Sequence, residues 1–341
     1  MEYGMSEQKP LPLTLLTGFL GSGKTTLINA LLQNNQGEEI AIIENEFGSV
    51  GVDGALLQGN GTIELIELSN GCVCCSIKGE LTQALRGLIE KVDAGQIRLD
   101  RLILETTGLA DPAPIVQTFF LDEVLSERIV LDAVITLVDA LHVLKQLDEH
   151  RVVAAQIGFA DRIILSKTDC IDDAQKELVL ARLHAINSKA NIVEAHQGVL
   201  PKTLWIDINA FELSDNLKVN QGFYQARDAK NIQFKSFSKD QPTQSWNDDI
   251  QSYLFEAGDL DLHKIGAFMD DLVENYGNDM LRYKGVLAIC DEEKRLIVQG
   301  VHKVVGFDYG SVWEDERKSL LVIIARKLPY QELLEAFKRC V

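Results

Sequence analysis

Over the first two hundred residues, short apolar runs alternate with stretches that repeat apolar positions three or four apart. Leu11-Pro-Leu-Thr-Leu-Leu-Thr17 is the first run and predicts a buried strand, and Lys24-Thr-Thr-Leu-Ile-Asn-Ala-Leu-Leu32 predicts a helix with one apolar face. The same rhythm predicts strands at Glu39–Glu44, Thr62–Leu68, Arg101–Glu105, Ala133–Val138, Arg162–Leu165 and Asn191–Glu194. Helices are predicted near Ile77–Val92 and Pro114–Phe120, in stretches between Leu141 and Gly158, and near Asp173–Asn187. Strands alternating with helices predict an α/β fold, a doubly wound and mostly parallel sheet, whose ligands gather beyond the carboxyl ends of the strands.

Beyond about Gly198 the rhythm changes. The stretch to Asn231 is polar and irregular. After it the pattern predicts a strand at Ile232–Phe237, a helix at Leu262–Tyr276, and strands at Leu281–Ile289, Leu296–Val305 and Leu320–Ala325. A helix at Gln331–Arg339 closes the series. This is a smaller α+β domain, compatible with a split βαβ arrangement. The expected division is a domain over 1–200, a linker over 201–231, and a C-terminal domain over 232–341.

Between the first strand and helix lies Gly18-Phe-Leu-Gly-Ser-Gly-Lys-Thr25, which fits G-x-x-x-x-G-K-T in its proper strand–loop–helix context. Gly18, Gly21, Ser22 and Gly23 leave room for backbone N–H groups to point at phosphate oxygens, and the helix N-terminus adds partial positive charge. Lys24 reaches the β- and γ-phosphates, the Thr25 hydroxyl suits Mg²⁺, and Thr26 follows in the same turn. Glu105, ending its strand, sits where such proteins keep an acid near Mg²⁺, and Gly108 lets the backbone approach the γ-phosphate. Ser166-Lys167-Thr168-Asp169 resembles the guanine-reading Asn-Lys-x-Asp. A carboxylate at Asp169 accepts from guanine N1–H and N2–H, which adenine does not offer. Glu44, Glu46 and Asp53 lie on the loop expected to face the γ-phosphate, where one of them positions the attacking water.

Composition narrows the partners. With 33 Lys+Arg against 51 Asp+Glu, net −18, little is left for a nucleic-acid face. No apolar run reaches the ~18–20 residues that span a bilayer, and the N-terminus lacks the basic and apolar regions of a signal peptide. A cytoplasmic protein is expected, with no membrane partner; a homo-oligomer is compatible with the sequence. Of six cysteines, three crowd into Cys72-Val73-Cys74-Cys75. In a reducing compartment this is a metal or redox cluster suited to Zn²⁺. In an extended loop Cys72 and Cys74 face one side, Cys75 joins if the loop bends, and water, Glu44 or Glu46 can complete the set. The six histidines are dispersed and show no metal spacing.

Gly18–Thr25, Glu44-Asn-Glu-Phe-Gly48 with Asp53, Gly71–Cys75, Glu105–Gly108 and Ser166–Asp169 occur in an order that resembles the CobW-type P-loop GTPases, relatives of the urease- and hydrogenase-accessory GTPases. Arg282-Tyr-Lys-Gly285 and Gln299-Gly-Val301 resemble that family's C-terminal domain. The resemblance implies slow GTP hydrolysis with Mg²⁺, coupled to binding a metal, commonly Zn²⁺, and delivering it to client proteins. Ser166 in place of Asn departs from the pattern, and no histidine-rich storage tract is present. Two other readings use the same phosphate cradle. One is a P-loop kinase of a small metabolite, which needs neither the guanine motif nor the thiols; the other is a GTP switch whose metal is structural.

Overall fold

The computed structural model describes residues 10–35, 37–45, 63–67, 76–196, 199–210, 250–314 and 316–341; for 44, 45, 63–67, 76–78, 80 and 123 it describes the backbone alone. Expectations for Glu46, Asp53, Cys72–Cys75 and the strand Ile232–Phe237 lie outside these residues.

The first sheet comprises β1 (Leu11–Gly18), β2 (Ile40–Asn45), β3 (Ile63–Glu67), β4 (Arg101–Thr106), β5 (Ile129–Asp139), β6 (Arg162–Ser166) and β7 (Asn191–Glu194). Their order is β3-β2-β4-β1-β5-β6-β7, all parallel. Helices α1 (Lys24–Gln33), α2 (Ser76–Asp93), α3 (Ala113–Leu121), α4 (Glu123–Arg128), α5 (Val143–Glu149), α6 (Arg151–Phe159) and α7 (Asp173–Ile186) connect them. Burial on both faces explains why β1 and β4 read as continuous apolar runs.

Two features of this half depart from the sequence pattern. The strand expected at Ala133 begins four residues earlier, because Asp132 is a buried strand residue and not a boundary. Its carboxylate accepts from Thr14 Oγ1 and from the backbone N–H groups of Asp207 and Asn209. The second departure concerns the linker expected from residue 201. Residues 201–210 instead pack onto the sheet, with Trp205 and Ile206 buried in its core and Arg101 paired to Asp207. Helix α4 has only six residues, too few to show a period; Asp122 caps it by accepting from Leu125 N–H.

The second sheet contains β8 (Ile250–Ala257), β9 (Met280–Leu287), β10 (Lys294–Val301), β11 (Val304–Val312) and β12 (Ser319–Arg326), with helices α8 (Leu262–Tyr276) and α9 (Tyr330–Lys338). Its order is β11-β10-β9-β12-β8, and every adjacent pair is antiparallel. β8 and β9 therefore run parallel on either side of β12 and are joined through α8, a split βαβ unit. Two expectations need correction. Ile250–Ala257 is a strand the pattern missed, its alternation being weak. The single strand expected over Leu296–Val305 is two, turned at His302-Lys303, where His302 takes φ 50°.

The two sheets share packing. Ile250, Leu281, Val301 and Ile324 of the second sheet belong to the apolar core of the first. Across this contact Arg282 pairs with Asp161, both nearly buried, and donates to the Phe159 carbonyl.

Candidate functional site

The carboxyl end of β1 turns into α1 through three glycines with positive φ: Gly18 (143°), Gly21 (73°) and Gly23 (105°). A Cβ on Gly18 would lie 2.3 Å from the Leu137 carbonyl oxygen, so the loop is pressed against β5. Gly23 precedes α1 without any side-chain cap, and no acid lies in the first turn, which leaves the helix N–H donors to an anion. Lys24 is buried and its Nζ donates to the Gly18 carbonyl at 2.9 Å, holding the ammonium within the loop. Thr25 is half-buried and Thr26 exposed. Ser22 Oγ is buried and has no hydrogen-bond partner among the described residues.

β4 delivers Glu105 beside Leu16 of β1 and Glu44 of β2, at the same level of the sheet. Glu105 is half-buried. Thr106 Oγ1 donates to Thr17 Oγ1 at 2.8 Å, which ties the ends of β4 and β1 together. The following loop lies directly on the glycine loop: a Cβ on Gly108 would sit 2.6 Å from the Leu20 backbone nitrogen. Thr107 Oγ1 is a second buried hydroxyl with no partner among the described residues. Two unsatisfied hydroxyls on neighbouring loops fit a polar ligand between them. Gln156, which the sequence reading passed over, is 1% exposed and donates from Nε2 to the Gly108 and Ala110 carbonyls, both at 3.1 Å.

β6 brings in Ser166, Lys167 and Asp169. Ser166 Oγ is 2.8 Å from the Ser22 carbonyl and 3.2 Å from that of Val138. Its one proton thus braces the glycine loop, the task expected of the larger Asn. Lys167 adopts φ 55° and donates to Asp139 Oδ2 at 2.6 Å. The same oxygen is 2.8 Å from His142 Nδ1, and Leu141 N–H donates to Oδ1. Burial pushes the Asp139 carboxyl up, but Lys167 and His142 outweigh it and hold it below the usual carboxylate range. Asp169 is exposed. Ser22, Gly23, Thr26, Ser166, Lys167 and Asp169 all line one cleft of about 240 Å³, with Leu137 and Ile164 on its apolar floor.

Glycine loop, acid-bearing strand end and the Ser166–Asp169 loop thus converge at the carboxyl edge of one parallel sheet. The profile described as "CobW/HypB/UreG, nucleotide-binding domain" matches residues 12–194, and "Cobalamin synthesis protein cobW C-terminal domain" matches 250–341. The chain belongs to the CobW family. Among CobW-family relatives, it is 40% identical over 331 residues to the zinc chaperone YjiA of Escherichia coli, covering 96% of this chain and 98% of that one. It is 34% identical over 353 residues to the zinc chaperone CobW of Pseudomonas aeruginosa, covering 93% and 88%. The crystal structure of Zn(II)-bound YjiA GTPase from E. coli superposes with a TM-score of 0.78 at 34% identity, covering 98% of this chain and all of that one.

The thiols expected to take a metal lie outside the described residues, and of Glu44 only the backbone is described, in register with Glu67 and Glu105. Among the described residues no group of three His, Cys, Asp or Glu is placed to hold an ion. No helix among them is long and apolar enough to cross a membrane.

Proposed function

We propose that this CobW-family protein hydrolyses GTP slowly and uses the cycle to take up a divalent metal, zinc, and pass it to client proteins. The observation that carries the reading is the single cleft lined by both the glycine loop and Ser166-Lys167-Asp169. A phosphate cradle and a guanine-selective carboxylate there share one ligand. The full-length likeness to zinc chaperones supports the cargo.

The residues divide the work. Gly18, Gly21 and Gly23 leave space for main-chain donors, and Lys24 exchanges the Gly18 carbonyl for phosphate oxygen. Developing negative charge on the transferred group is met there by a charge-assisted donor. Thr25 and Glu105 supply the oxygen donors that a hard divalent cation takes. Mg²⁺, when bound, neutralises charge on the β- and γ-phosphates. Gly108 brings backbone toward the γ-phosphate, and Asp53 or a glutamate of the same loop orients the water. Lys167 lays its stem along the purine, held by Asp139, while Asp169 reads the guanine edge. Left facing adenine, that carboxylate loses its hydrogen bonds, and selectivity follows.

Zinc is the cargo, taken by the Cys72, Cys74 and Cys75 thiolates with Glu44 assisting. We place the protein in the cytoplasm, with the C-terminal domain as the client-facing part. Two measurements test the reading. GTP turnover should exceed ATP turnover under matched conditions, and equal rates overturn the base assignment. Replacing the three cysteines with Ala should abolish tight zinc binding and leave GTP binding intact; unchanged zinc affinity means that the cargo site lies elsewhere.

A further inference from the structure

Helix α6 is nine residues long and makes its two most specific sets of contacts within four consecutive positions. At Gln156 it holds the loop after β4. Both amide protons go to that loop, on the Gly108 and Ala110 carbonyls, while the Gln156 main-chain carbonyl accepts from Thr136 Oγ1 of β5 at 2.9 Å. The residue has little slack: it is 1% exposed, with its side-chain nitrogen and its main-chain carbonyl both engaged.

Two positions on, the helix belongs to the other sheet. A Cβ on Gly158 would stand 3.0 Å from Leu281, 3.3 Å from Ile324 and 3.5 Å from Ile250, one residue from each of β9, β12 and β8. The Phe159 carbonyl accepts from Arg282 Nη1 at 3.1 Å. Asn187 Nδ2 lies 2.8 Å from the Ile157 carbonyl and 2.9 Å from that of Ala160, fixing the helix end to α7. The end of α7 is bound in turn to β8, through Ser252 Oγ and the Ser188 N–H.

We propose that Gln156 is a positioning residue that couples the nucleotide state to the C-terminal sheet through α6. This rests on the reading that Gly108 faces the γ-phosphate. A loop so close to the glycine loop that a Cβ on Gly108 would stand 2.6 Å from the Leu20 nitrogen cannot shift toward phosphate alone. It either carries Gln156 with it or leaves the buried Gly108 carbonyl and the half-buried Ala110 carbonyl without this donor, an arrangement folded proteins avoid. A short helix moves as a rigid piece, so displacement at Gln156 arrives at Gly158 and Phe159, where the second sheet is packed without gaps. Linkage makes the coupling reciprocal: a client that shifts the second sheet changes GTP affinity by the same factor.

The test is amide hydrogen exchange on the full chain with GDP and with a non-hydrolysable GTP analogue, for wild type and Gln156→Leu. In wild type, protection of β8, β9 and β12 should differ between the two states by about five-fold or more. In Gln156→Leu the difference should collapse toward one while both nucleotides still bind. A purely structural role lowers protection equally in both states and leaves the difference intact, which overturns the proposal. So does a wild type whose second sheet responds identically to both nucleotides. Should Gln156→Leu not fold, Arg282→Lys, which keeps the charge facing Asp161 but alters the donor to Phe159, must reduce the same difference. Failure to bind GTP at all would instead sink the functional reading, so the two failures are separable.

Discussion

Asp139 shows how much of the proposed base site rests on a residue with no place in the motif. It holds Lys167 and His142 on one oxygen and two loop N–H groups on the other, and hydrogen bonds to a charged group contribute ~1.5–3 kcal/mol. Its carboxyl titrates below the ordinary value of about 3.9, so the stabilisation is complete above that pH and is lost as pH falls through the lower folded value. Urea unfolding should therefore show wild type more stable than Asp139→Asn between pH 8 and 5, with the carboxylate's share of the gap closing only below pH 4. Lys24→Ala removes the charge proposed to meet the transferred phosphoryl group, and GTP turnover should fall about 100- to 1,000-fold in a steady-state phosphate-release assay. At this scale the sequence showed every residue of the glycine loop. It could not show Gln156 or Asp139, whose contacts to Gly108 and to Lys167 span 48 and 28 positions and form only after the sheet has formed. Ser166 stands where the guanine-reading motif has Asn; its short hydroxyl suffices as a brace because β6 passes close to the Ser22 carbonyl.

Elements were legible where burial imposes a period. In the parallel sheet β1, β4, β5 and β6 were visible because both of their faces are covered, and the long helices because one face is. The misses occurred where a local pattern gives no such signal. Asp132 hid four residues of β5, and β8 carries Gln251 and Ser252 at an edge. β11 turns back from β10 after two residues, with an exposed face that alternates only in part. Glycines divide in the same way. Gly108→Ala inserts a methyl against backbone and should cost about 1–3 kcal/mol while weakening nucleotide binding. Gly87, inside α2, has open space around its Cβ position. Gly87→Ala should instead stabilise by ~0.5–1 kcal/mol in the same thermal or urea melts, leaving nucleotide affinity unchanged.

Across the whole molecule, the proposed zinc loop and the Glu44–Asp53 loop follow the two strands next in sequence after the glycine-loop unit, so nucleotide and metal should be thermodynamically coupled. A coupling of about 1–3 kcal/mol, or 5–150-fold, is the expected size. A zinc competition titration with a GTP analogue and again with GDP measures it, and equal affinities would leave a metal-binding GTPase without a driven handover. Arg282→Met strands the Asp161 carboxylate in the interface. Breaking such a buried pair costs ~3–5 kcal/mol, with the lower end expected because Lys284 stays 3.5 Å away.

The sharing of Ile250, Leu281, Val301 and Ile324 with the first sheet's core also bears on how the chain melts. One family profile ends at residue 194 and the other begins at residue 250, yet a single apolar cluster draws residues from both. Heat that loosens one sheet strips the other of its covering, so neither half has a melting point of its own. Scanning calorimetry should show a single endotherm, and a chain ended at residue 210 should precipitate through the apolar surface left on α6. Inheritance treats the halves as two pieces, and thermodynamics treats them as one.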